Sequence, residues 1–302
     1  MSKEHSHHHP IVTGKNLILP IILNVGITIA QIIGGLLSGS MALLSDAAHN
    51  FSDVLALIFS YIAAKLSGRE RTLKKTFGFK RAGILAAFVN SATLMIIATV
   101  LVQEAIERLI HPRPIQGDIV IYLAALGILF NGVSALLVKK GAKADINMRS
   151  AYLHLFTDML TSIAVLIGGF AISYLAWYWV DGALTIVISI YLIYSSWEIF
   201  YTSVRIFMQF TPTQISIEEI ADEITLIQGV KNIHHVHAWK LDDHEMMFEA
   251  HLDLEEDYPI SHFEIILEKV EATLHRHDIH HFNIQPEWVR DDEKGLINKL
   301  DH

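Results

Sequence analysis

The chain of 302 residues is 52% hydrophobic and only 18% charged, with a mean hydropathy of +0.37, which is the composition of a membrane protein rather than of an ordinary soluble domain. It contains no cysteine, which excludes disulfides and thiolate metal sites, while its 18 histidines point to metal handling through His, Asp and Glu. The net charge of −9 is unevenly divided: residues 1–205 carry five more basic than acidic side chains, and residues 206–302 carry fourteen more acidic than basic ones.

An apolar membrane part therefore precedes an acidic soluble part, with the boundary near Gln209–Thr213. An acidic soluble part is a poor match for a phosphate backbone, so nucleic acid is not an expected partner. Residues 1–15 are polar and hold His5, His7, His8 and His9. They are expected to be disordered, either as a loose metal-collecting tail or as an end without a role. No signal peptide is evident.

Six apolar segments follow, each near the ~20 residues that span a bilayer. They are Asn16–Leu37, Met41–Leu66, Ile84–Ile110, Ile119–Val138, Ser150–Leu175 and Gly182–Ile206. The first two are joined by Ser38-Gly39-Ser40 and the last two by Trp177-Tyr178-Trp179, links without Lys or Arg. By contrast, 67–81 holds Arg69, Arg71, Lys74, Lys75, Lys80 and Arg81, and 139–149 holds Lys139, Lys140, Lys143 and Arg149. Basic loops stay in the cytoplasm, so both termini are expected there, in the cell (inner) membrane. Gly34-Gly35 and Gly168-Gly169 read as sites of close helix approach. Asp181 reads as an N-terminal carboxylate favoured by the helix dipole rather than as the lining of an access path.

Beyond Thr211 the pattern changes. Helices are expected over 215–227 and 260–275, and strands over 230–241, 246–254 and 280–288. The order α-β-β-α-β predicts a small open α+β sandwich over 209–289. The tail, 290–302, is charged and carries no reading of its own.

The stretch SDAAHNFSDVLAL places His49 and Asp53 four residues apart in the second apolar segment, and AYLHLFTDMLTS places His154 and Asp158 at the same spacing in the fifth. Residues i and i+4 share a helix face, so each segment presents an imidazole beside a carboxylate. If the two helices face each other, two nitrogens and two oxygens converge, a set suited to tetrahedral Zn²⁺. Ionisable groups at membrane depth are costly and functional by default. Asp46 and Asn50 read as supporting or packing groups rather than direct ligands. The chain has no His-Glu-x-x-His and no nucleophile motif, so it is not read as an enzyme. The alternatives are a zinc-gated metal channel or a membrane-anchored metal sensor.

Together the stretches LLSDAAHNFSDVLAL, FGFKRAGILAAFVN, HPRPI, NMRSAYLHLFTDMLTS, HVHAW and NIQPE, in this order along six spans, resemble the cation diffusion facilitators, in particular their zinc-type branch. The resemblance implies a homodimeric antiporter that moves Zn²⁺ out of the cytoplasm against protons, with Cd²⁺ or Co²⁺ as additional cargo. It implies that His49, Asp53, His154 and Asp158 form the transport site in the domain 16–208. It also implies a cytoplasmic domain of ferredoxin-like, copper-chaperone-like fold that dimerises and binds further zinc. The metal set implied there is His234, His251 and His280 with Glu287; His237 and His281 are alternates, and His262 is a further candidate. The sequence departs from the family's pattern at Gly83 and at Asp181-Gly182. It lacks the histidines that some members carry between the second and third or the fourth and fifth spans.

Overall fold

The computed structural model describes residues 15–139, 146–243 and 245–297. The N-terminal histidines His5, His7, His8 and His9, the loop residues Lys140 and Lys143, His244 and the end of the tail lie outside them. Six long helices come first: α1 Lys15–Ser38, α2 Met41–Ser67, α3 Ala82–Ile110, α4 Gly117–Lys139, α5 Ile146–Leu175 and α6 Trp179–Phe207. Five of them, α2 to α6, are long and apolar enough to cross a membrane, and Ile22–Ser38 of α1 adds a sixth, shorter apolar stretch.

Their surface is inside out. Gln31, Asp46, Asn50, Asn131, Asp158 and Asp181 are buried, while Leu36, Ile96, Tyr122, Leu136, Ile167 and Tyr194 are more than half exposed. In water each such large apolar side chain forgoes about 1.5–3 kcal/mol of burial. In lipid nothing is lost, and the polar groups gain by turning inward.

Local chemistry sets the joints. Gly39 turns α1 into α2 with φ +75°, a conformation that a residue with a Cβ adopts only with strain. Arg108 of α3 donates to the Gly39 carbonyl. Asp181 stands in the first turn of α6, as the dipole reading expects, but its carboxylate also accepts from Ser40 Oγ (2.5 Å) and from the N–H groups of Met41 (2.8 Å) and Ala42 (3.3 Å). One buried carboxylate therefore lies at the positive ends of two helices. A Cβ on Gly169 would lie 3.2 Å from the Ile121 backbone nitrogen, so α5 approaches α4 to near backbone contact there.

The chain forms two compact units, Met1–Ser60 with Val89–Ile199, and Tyr61–Phe88 with Phe200–His302. In the second, the order α7 Ile217–Thr225, β1 Val230–Lys240, β2 Met246–Leu254, α8 Ile260–Arg276, β3 His281–Glu287 is the expected α-β-β-α-β. Ser216 caps α7 by accepting from the Glu219 N–H. The sheet order is β1-β2-β3, with β1 antiparallel and β3 parallel to the central β2. Ile220 and Ile224 of α7 and Ile266, Val270 and Leu274 of α8 bury against Ile233, Phe248, Ala250 and Leu252. Both helices thus cover one face of the sheet. Within the same unit, Lys80 of the basic loop pairs with Glu245 (3.0 Å) and Asp242 (3.7 Å).

Candidate metal centres

The i, i+4 spacing does what helical geometry predicts, and α2 and α5 bring their pairs together. His49 Nε2 lies 3.1 Å from Asp158 Oδ1 and 3.9 Å from Asp53 Oδ2. His154 Nε2 lies 3.1 Å from Asp53 Oδ2 and 3.6 Å from Asp158 Oδ2. Each imidazole is nearer to the carboxylate of the other helix than to its own, so the pairs interlock. All four ligand atoms fall within 4.8 Å of one another. A tetrahedron with metal–ligand bonds of about 2.0–2.1 Å has edges of about 3.3 Å, close to the four spacings observed. The quartet is one-sided: Asp158 is 1% exposed and His154 43%. His49 Nδ1 and Asp158 Oδ2 are buried without a hydrogen bond.

Behind the quartet lies a buried polar chain. Gln31 of α1 donates through Nε2 to Asp46 Oδ2 (2.6 Å), Ser162 Oγ donates to the same oxygen (3.3 Å), and Asn50 Nδ2 donates to Gln31 Oε1 (2.9 Å). Asp46 and Asn50 sit here, bonded to these neighbours and at most 1% exposed. Gln31 and Ser162 escaped the sequence reading. A lone glutamine in an apolar helix was the only signal.

A second group forms on the open face of the sheet. The register sets His234 opposite His251, and Asp253 opposite Glu287. Cross-strand partners share a face, so these side chains meet. His251 Nδ1 lies 2.9 Å from Glu287 Oε1 without hydrogen-bond geometry. His234 is fully buried, with Nδ1 3.3 Å from Asp253 Oδ2, and Nε2 3.4 Å from Glu287 Oε2 and 3.6 Å from Asp292 Oδ2. Neither of its nitrogens makes a hydrogen bond. A buried imidazole with two idle nitrogens among carboxylates is a donor set that suits a divalent cation. Burial pushes the His251 imidazole below its usual value, despite Glu287 and with help from His235 and His234.

Of the implied set, the structure brings His234, His251 and Glu287 together but not His280. β3 begins at His281, which pairs with Met247, whereas His251 pairs with Gln285 four residues on, about 13 Å along the strand. His280 instead contacts Asp278 (3.2 Å) and the ring of His275. Of the other candidates, His281 packs edge-on to Phe77, His262 stacks on Tyr258, and His237 lies 3.4 Å from His235. Simple alternation also fails on β1. The ladder shifts between His234 and His237, and His235 takes φ +50°, so His234 and His235 both reach the ring of His251. In place of His280 the structure supplies Asp292, from a tail that the sequence left without a reading.

The comparisons with known proteins cover both parts of the chain. The cation efflux transmembrane domain matches residues 17–208, and the cytoplasmic domain of cation efflux proteins matches residues 212–288. The chain belongs to the cation efflux family, the cation diffusion facilitators. It is 35% identical to a zinc transporter, ZitB, of Pectobacterium atrosepticum, over 100% of this chain and 94% of that protein. It is 33% identical to a cadmium, cobalt and zinc/H⁺-K⁺ antiporter of Bacillus subtilis, over 93% and 91%. It is 30% identical to the metal cation efflux system protein CzcD of Cupriavidus metallidurans, over 94% and 90%. These relatives set it in the zinc-type branch of a family of multi-pass membrane transporters, not of enzymes.

Proposed function

We propose that this chain exports Zn²⁺ from the cytoplasm, with Cd²⁺ and Co²⁺ as further cargo, in exchange for protons. The quartet of His49, Asp53, His154 and Asp158 is the transport site, exposed alternately to the two sides of the membrane. One observation carries the reading: both Nε2 atoms face carboxylates at 3.1 Å. A hydrogen bond of that kind needs a proton on Nε2, and a metal needs the lone pair of the same atom. Metal and proton therefore compete for one position. Neither loaded form leaves a large unpaired charge at membrane depth. The contrast between sealed Asp158 and open His154 supports access from one side at a time.

Residues 16–208 form the transport domain and 209–289 a cytoplasmic metal-binding and dimerisation domain, in a homodimer with both termini in the cytoplasm of a bacterial inner membrane. The ion pairs of basic-loop Lys80 with Asp242 and Glu245 support placing that loop and the sheet on one side. In the cytoplasmic domain the ligands are His234, His251 and Glu287, with Asp292 as the fourth.

Proteoliposomes loaded with a zinc-sensitive dye test the function. An imposed pH gradient should drive zinc uphill, and reversing the gradient should reverse the flux. Zinc flux indifferent to the proton gradient would favour a channel, and absence of flux a sensor. A requirement for K⁺, which the name of the Bacillus relative includes, would change the counter-ion but not the site.

A further inference from the structure

The tail beyond β3 returns to the sheet. The N–H groups of His235 and Val236, at the bulge where β1 leaves the ladder, donate to the carbonyls of Gly295 (3.2 Å) and Leu296 (2.9 Å). Asn232 Nδ2 donates to the Lys294 carbonyl, and Leu296 packs against the sheet core. β1 is an edge strand, and an edge offers unpaired backbone groups to any segment that can reach them. The strap 290–297 uses that edge and crosses the His234–His251 cluster.

It brings charge with it. Lys294 Nζ lies 2.7 Å from Asp253 Oδ1 and 3.3 Å from Glu287 Oε2, and it pairs with Asp292 Oδ1. Arg290 Nη1 lies 2.9 Å from Glu287 Oε1, and Nε 3.7 Å from Asp292 Oδ2. Three carboxylates thus face two cations, leaving one negative charge. Two of the carboxylates that Lys294 neutralises, Glu287 and Asp292, belong to the group suited to hold a metal. A divalent cation in place of the ammonium would balance the cluster fully, and it would give His251 Nδ1 and one idle nitrogen of His234 the partner they lack.

We propose that Lys294 is a tethered competitor for the cytoplasmic metal site: its ammonium fills the carboxylate cluster when metal is scarce, and zinc displaces it while Asp292 stays as a ligand. The strap thereby sets the zinc concentration at which the site loads. This rests on the reading of His234, His251 and Glu287 as a zinc site. It assigns opposite roles to two side chains on the same strap.

Isothermal titration of Zn²⁺ into the purified full-length protein tests it, in a background of Asp53→Ala and Asp158→Ala that silences the membrane quartet. Lys294→Met keeps the stem but removes the charge, and should tighten zinc binding by about tenfold. Lys294→Arg should stay within about threefold of the background protein, because it keeps the competing charge. Asp292→Asn should weaken binding by about tenfold, because it removes an anionic ligand. Hydrogen exchange at the His235 and Val236 amides checks that the strap remains docked in each variant. If Lys294 merely held the strap in place, Lys294→Met and Asp292→Asn would weaken binding alike, and that result overturns the proposal. Equal affinity in Lys294→Met and the background protein overturns it too. Absence of any zinc binding that His234→Ala removes would instead overturn the site reading, and the competitor with it.

Discussion

The quartet on α2 and α5 is held from within: each His–Asp pair belongs to one helix, and the partners interlock across the helix pair with no Lys or Arg among them in the described residues. The cluster on the sheet is assembled from three strands and a returning tail, and Lys294 and Arg290 already lie against its carboxylates. The ligand types are the same, imidazole and carboxylate, but the supports differ. Helical spacing sets the quartet's geometry with little freedom, and among the described residues no Lys or Arg pairs with it. The sheet cluster owes part of its donor set to a strap held by an edge strand, so its state is adjustable. On the proposed reading, therefore, ligand chemistry alone does not separate a site that passes metal on from one that senses it; what else occupies the site does.

The largest effect should come from breaking the quartet. Asp158→Ala, or Asp53→Ala, should lower zinc flux in proteoliposomes by more than about 100-fold, because it removes an anionic ligand and leaves two histidines facing one carboxylate. Zinc should still bind the sheet cluster, as seen by calorimetry on the same protein. Near-native flux in either variant would remove the quartet from the transport path.

Next, His234→Ala should abolish the zinc-dependent rise in thermal stability in the Asp53→Ala and Asp158→Ala background, and with the quartet intact it should leave zinc flux at high zinc within about tenfold of native. Complete loss of flux would erase the distinction between the two clusters. A smaller change should follow at the support of the quartet. Gln31→Ala leaves Asp46 and Asn50 buried with fewer partners, which costs about 1–3 kcal/mol. Its flux should fall by about tenfold, whereas Gln31→Glu, which keeps the shape but adds a charge beside Asp46, should fall further.

The smallest effect belongs to a charged group that is part of neither cluster. Glu223 accepts from Arg276 (2.6 Å) and lies 3.2 Å from His277. Arg276 first, then His277, lowers its carboxyl below the usual value. A lowered carboxyl contributes stability above its unfolded pKa and loses it as pH falls through the folded value. Arg276→Met should therefore change the melting temperature by no more than about 1 °C at pH 7, and by less still below pH 4. A larger shift, or a change in zinc affinity, would mean that exposed charge matters here as much as the buried clusters.

The six apolar segments, the αββαβ order and the His–Asp pairs were legible because each rests on short-range periodicity. A run of apolar residues must find lipid or core, and i, i+4 neighbours share a helix face whatever surrounds them. His251 and Asp253, two apart on one strand, were legible as sharing a face for the same reason. What lay beyond the sequence depended on partners far apart along the chain. Gln31 meets Asp46 only because α1 packs against the bundle, and Asp181 reaches the start of α2 across 140 residues. The β1 bulge breaks the alternation at His235, and strand register, which no local pattern reports, carries His280 away from the cluster and brings Glu287 to it. Asp292 and Lys294 sit in a stretch with no periodicity. They reach the site because an edge strand had N–H groups to satisfy, and only the folded sheet creates that edge.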